Sequence, residues 1–129
     1  MAAQLNKYQK FLILMPVYED WKALHLLLPL LDQELIAHSL KADILIVDDG
    51  SSEINFGPET QKCFSSLETI EILPLRRNVG HQRAIAVGLS YLEANQLCHP
   101  VVVMDCDGED NPSDVPRLIA ECSAHQYQK

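Results

Sequence analysis

Continuous apolar runs along the chain alternate with longer stretches in which apolar residues recur every three or four positions. Phe11 to Met15 (FLILM, closed by Pro16), Ala42 to Val47 (ADILIV), Thr69 to Leu73 (TIEIL) and Val101 to Met104 (VVVM) have the length and composition of strands. The runs FLILM, ILIV and VVVM carry no polar alternation, the pattern of strands buried on both faces. TIEIL alternates and suits a place nearer a sheet edge. Between the first two strands, Trp21, Leu24, Leu28, Leu31 and Leu35 mark a helix with Asp20 as its expected N-cap. Pro29, lacking a backbone donor, should kink or divide it.

Gly80 to Glu93 is the clearest helix, with Ala84, Val87, Gly88, Tyr91 and Leu92 on one face and Gly88 allowing close approach to the sheet. Ser113 to Cys122 is the last, running through Val115, Leu118 and Ile119, with Pro112 and Pro116 suited to its approach and first turn. Glu53 to Ser66 reads as a variable segment with a short helix after Pro58. The order βαβαβαβα predicts an α/β fold, a mostly parallel sheet with helices on both faces. In such sheets ligands bind outside the carboxyl ends of the strands. Glu19/Asp20, Asp48/Asp49 and Asp105/Asp107 each follow a strand end, so the fold would gather them on one rim.

Composition narrows the options. The 129 residues suffice for one domain with a sizeable core, residues 11–129, behind a polar tail at 1–10. A net charge of −8 excludes a generic nucleic-acid partner, which needs a basic face. Cys63, Cys98, Cys106 and Cys122 show no C-x-x-C pairing and suit reduced thiols of a cytoplasmic protein. Neither a signal sequence nor a bilayer-spanning run is present, so the chain as given is expected to be soluble.

The candidate chemistry centres on Asp105-Cys-Asp-Gly-Glu-Asp110. If the backbone stays extended past the strand, Asp105, Asp107 and Glu109 project to one side. Massed carboxylates there suit a hard divalent cation, Mg²⁺ or Mn²⁺; a solvated acidic turn is the alternative. Cys106 should point away toward packing and is not read as a nucleophile. Asp48 and Asp49 are either turn residues bonding their own backbone or acceptors for a nucleobase or ribose. Gly50 supplies the tight turn after them. Arg76, Arg77 and Arg83 surround a helix start, where they either bind phosphate or pair with local carboxylates. His81 either binds a ligand or caps and packs. An EF-hand reading fails, because Asp110 and Pro116 stand where Gly and Glu are required. A dinucleotide fingerprint fails because PVYED has no glycine. A receiver-type phosphoacceptor would need a lysine after a later strand, and only Lys129 follows Asp110.

MPVYED, ILIVDDGSS, LRRNVGHQRAIAVGL and VVVMDCDGEDNPSDVPRLI, in that order, resemble the family 2 glycosyltransferases of GT-A fold, and most closely the dolichyl- or polyprenyl-phosphate sugar transferases. The resemblance implies the Rossmann-like, nucleotide-binding half of such an enzyme. It implies Asp20, Asp48 or Asp49, Arg77 and Arg83 around the nucleotide, Asp105 at the ribose or metal, and Asp107 on Mg²⁺ or Mn²⁺. It further implies a UDP- or GDP-sugar as donor, inverting transfer, and a polyprenyl phosphate or other hydroxyl as acceptor. Two motifs depart from the family: Glu19-Asp20 stands where Asn-Glu is common, and Gly-Glu-Asp-Asn-Pro112 where Leu-Gln-x-Pro-Pro is common. The family continues with an acceptor half and general base, neither of which can be assigned here. An uncovered sheet edge should therefore promote self-association, and a longer form would be membrane-peripheral.

Overall fold

The computed structural model describes residues 10–57, 60, 64–95, 99–107 and 110–125, with side chains as far as 121. The tail ahead of Lys10, the helix expected after Pro58, Glu109 of the acidic run, and Cys63, Cys98 and the Cys122 side chain lie outside what is described. The elements are β1 (Lys10–Val17), α1 (Trp21–Ala37), β2 (Lys41–Asp48), β3 (Leu67–Pro74), α2 (His81–Ala94), β4 (Val101–Val103) and α3 (Asp114–His125). The strands form one sheet in the order β3-β2-β1-β4, and every pair is parallel.

The side-chain alternation of the inner strands divides the core. Phe11, Ile13, Met15, Ala42, Ile44 and Ile46 bury against the apolar faces of α1 and α3. Leu12, Leu14, Leu45 and Val47 point the other way, against Ala84 and Leu92 of α2. Because β1 and β2 are covered on both sides, β1 is buried from Phe11 to Val17, which is why its sequence shows no alternation. Gly88 makes the second layer possible. A Cβ there would meet Leu14 Cδ1 at 2.7 Å and Val47 Cγ2 at 2.8 Å.

Several expectations change. β4 is not buried on both faces: it is an edge strand of three residues, and Val103 is 42% exposed. The reason is layer count, since α2 is the one described helix on that face and packs mainly over β1 and β2. Pro16 does not close β1. The Leu12 N–H and Leu14 C=O both face β4, so Pro16 turns its missing donor to the same side, past the last β4 bond at Met104. Pro29 does not divide α1, which runs 17 residues with Pro29 on its exposed side. Asp20 occupies the N-cap position but makes no side-chain cap hydrogen bond. Val87, expected on the buried face of α2, is 39% exposed. β3 is an edge strand as its alternation predicted.

Asp32 had no expected role, yet it is 7% exposed within α1. Its carboxylate accepts the Ser65, Ser66 and Leu67 N–H groups at 3.2, 2.7 and 3.2 Å, tying α1 to the start of β3.

Candidate active site at the strand ends

Strand order locates the site. The chain moves from β1 outward to β2 and β3, then returns across β1 to β4, so the connections diverge between β1 and β4. A crevice opens at such a switch point, outside the carboxyl ends of the strands. A cavity of about 310 Å³ opens at the carboxyl ends of β1 and β2 beside the start of α2, lined by Pro16, Val17, Tyr18, Asp49, Asn78, Gly80 and His81.

Three loops are pinned around it by polar contacts. After β1, Glu19 adopts φ 58°. Its N–H donates to Ser51 Oγ at 2.8 Å, and its carboxylate accepts the Ser52 N–H and hydroxyl at 3.1 Å each. After β2, Asp48 is buried and accepts the Ser51 N–H at 3.0 Å, the turn role open to it from sequence. Asp49 is 3% exposed and reaches farther. Oδ1 accepts the Val79 N–H at 2.8 Å, while Oδ2 accepts the Gly80 N–H and the Asn78 amide at 3.1 Å each. Asp49 thereby fixes the entry to α2, with Gly80 at the N-cap at φ 99°. Gly50 lets the backbones meet: at φ 81°, a Cβ on it would lie 2.5 Å from Arg77 C and from Asn78 N.

The third loop follows β4. The strand ends at Val103, and Asp110 does not continue away from it: Asp105 N–H donates to Asp110 Oδ2 at 2.8 Å, bringing Asp110 back to the strand end. Asp105 is half-buried, Cys106 buried and Asp107 exposed. His81 Nε2 lies 3.1 Å from Asp105 Oδ1, joining the first residue of α2 to the β4 loop. Burial first, then the Asp110 and Asp107 carboxylates, raises the Asp105 pKa, while His81 acts in the opposite sense. Cys106 packs into the α1/α3 core, as expected, and burial pushes its thiol up to about 11. The charge of Asp20, at the N-cap position of α1, adds to that rise.

The structure therefore brings Asp49 and His81 together at the cavity, with Asp105 joined through His81. Arg76, Arg77 and Arg83 are exposed about the turn and first helical residues before and within α2, and among the described residues none of the three forms an ion pair. Among the described residues, no group of three or more His, Cys, Asp or Glu side chains could hold a metal ion. Sequence left open the part of His81, gave Asn78 no role, and counted Asp110 in the acidic run without its bond to the Asp105 N–H. The partners of His81 and Asn78 lie in other loops, Asp105 after β4 and Asp49 after β2, and no local spacing signals them.

A parallel four-stranded sheet with helices on both faces and an acidic rim at its strand ends is a Rossmann-like α/β fold. The family model for Glycosyl transferase family 2 matches residues 12–128, and the chain belongs to that family. It is 32% identical over 125 residues to the undecaprenyl-phosphate 4-deoxy-4-formamido-L-arabinose transferase of Sodalis glossinidius, covering 94% of this chain and 36% of that protein. The Klebsiella pneumoniae subsp. pneumoniae protein of the same name is 27% identical over 113 residues, covering 88% of this chain and 33% of that one. The chain thus spans about a third of these curated relatives. The crystal structure of S. aureus TarS superposes with a TM-score of 0.59 at 20% identity, covering 91% of this chain and 20% of that one, a likeness of fold. Among the described residues, no helix is long and apolar enough to cross a membrane.

Proposed function

We propose that this chain is the donor-binding part of a glycosyltransferase and takes a nucleotide-diphospho-sugar, UDP- or GDP-linked, on the β1/β4 rim. One observation carries the reading. In a member of this family, the strand-end cavity adjoins both an α-helix N-terminus without a side-chain cap and, through His81, the acidic β4 loop. Helix N-termini favour phosphate oxygens, and Arg77 and Arg83 stand exposed beside this one, in no ion pair among the described residues. Asp20 and Asp48 are the groups assigned to the nucleoside. Asp49, with both oxygens engaged, serves by holding Asn78 to Gly80 in place.

Asp105 and Asp107 would hold Mg²⁺ or Mn²⁺. Two hard carboxylates, one of them raised by burial and like charge, suit an ion that completes its shell with water and donor phosphates. Bound there, the ion supplies Lewis-acid neutralisation of charge on the leaving diphosphate. The acceptor that suits this reading is a polyprenyl phosphate, the class in the relatives' names, reached by a longer form lying against the membrane. Calorimetric titration of UDP and of GDP, each with Mn²⁺ and then with EDTA, tests the donor assignment. Metal-dependent binding of one nucleotide is expected, and Asp107→Ala should abolish the metal-dependent part. Unchanged metal-dependent affinity in that variant would remove Asp107 from the metal site.

The second reading is a nucleotide-binding module without transfer. Sugar transfer by the purified chain without a partner would exclude it.

A further inference from the structure

α1 has two apolar faces, and the core uses one. At about 100° per residue, Leu26 lies on the opposite side of the helix from buried Leu35. Leu26 is 66% exposed, Leu30 55% and Ile36 49%, with Pro29 also exposed between them. Solitary exposed leucines are ordinary, but a helical stripe of them marks an interaction surface. The polar residues along it are arranged in order. Lys22, Leu26, Leu30 and Glu34 are spaced by four, so they form a single ridge reading cation, apolar, apolar, anion.

That ridge complements itself when reversed. Set antiparallel against its own copy, it places Leu26 against Leu30 and Lys22 against Glu34, twice over, as a two-fold axis requires. We infer that the outer face of α1 is a homodimer interface, built on the ridge Lys22–Leu26–Leu30–Glu34 paired with the same ridge of a second copy. The self-association expected at the open sheet edge is better served here. β4 offers three residues of edge, whereas α1 offers a 17-residue helix about 25 Å long. A lipid surface is a poorer occupant, because Lys22 is the ridge's sole cation and the chain carries a net charge of −8. One helix pair is a small interface, so the dimer should form at micromolar rather than nanomolar concentration.

Sedimentation velocity on the 129-residue chain across micromolar concentrations tests this, with circular dichroism confirming that each variant stays folded. A monomer–dimer equilibrium is expected. Leu26→Glu with Leu30→Glu, at exposed positions, should weaken it at least about tenfold. Lys22→Glu alone should weaken it, and adding Glu34→Lys should restore it by exchanging the ends of each pair. A wild-type chain monomeric throughout would overturn the inference, as would dimerisation indifferent to the leucine changes or a double charge exchange that restores nothing. Binding to phosphatidylcholine/phosphatidylglycerol vesicles, lost with the leucine changes and without a dimer, would assign the face to lipid instead.

Discussion

Gly50 carries a constraint larger than its turn. Its φ of 81° disfavours any other L-residue, and the atoms nearest a hypothetical Cβ, Arg77 C and Asn78 N, are backbone that cannot rotate away. Gly50→Ala must therefore part the loop after β2 from the entry to α2, straining the Asp49 bonds that depend on the contact. A loss of about 2–4 kcal/mol is expected from the urea midpoint. Gly88→Ala should cost less, about 1–2 kcal/mol, because it meets side-chain ends, Leu14 Cδ1 and Val47 Cγ2. A reversed ranking would refute this account. That Gly50 makes a turn is legible in DDGSS. Its contact with Arg77 is not, because nothing local to either segment names the other.

At the scale of elements, Asp32 shows a helix placing a strand. Three N–H groups converge on its carboxylate where the chain enters β3, an edge strand that bonds to β2 alone. Asp32→Ala leaves the Ser66 and Leu67 donors buried without an acceptor, so about 2–4 kcal/mol should be lost. Faster hydrogen exchange at Ser66 and Leu67 should precede any change in β1; uniform exchange across the sheet would contradict a local role. The helical positions of α1 were legible from Trp21, Leu24, Leu28, Leu31 and Leu35, all buried. Asp32 was not, since a lone carboxylate on a helix usually faces water. For β4 the apolar run gave the strand but not its exposure, which depends on how many helices share its face.

Across the whole molecule, charge and burial set the pH range of stability. At the opposite end of the sheet from the site, Lys10 on β1 lies 2.9 Å from Glu68 on β3 and 3.4 Å from Asp43 on β2. The Lys10 ammonium holds Glu68 below the usual carboxylate range, so that stabilisation is present at neutral pH and fades as pH falls through the lowered value. The same bond raises Lys10, whose contribution is full below the ordinary lysine value and fades as pH rises from there through its elevated value. The groups are about a third exposed, so the ladder contributes at most about 1 kcal/mol and should weaken in salt. Cys106 acts on the alkaline side alone. Its thiol is raised to about 11 by burial, so stability is full below the ordinary thiol range and declines as pH climbs toward that value. Urea midpoints measured against pH should thus fall at both ends, and Cys106→Ala should flatten the alkaline decline relative to its own maximum. An unchanged alkaline slope would show that the buried thiol is not its source.

The sequence by itself determined the alternation of strands and helices, the parallel α/β class, the rim on which the acidic motifs fall and the family resemblance. These follow from periodicity and from motifs whose residues are neighbours in the chain. Tertiary structure decided which carboxylates are engaged across segments: Asp49 on the entry to α2 and Asp32 on β3. It also decided that His81 meets Asp105 and that one face of α1 stays uncovered. Those outcomes depend on which elements pack side by side, and hydrogen bonding and burial between distant segments leave no periodic trace in the chain.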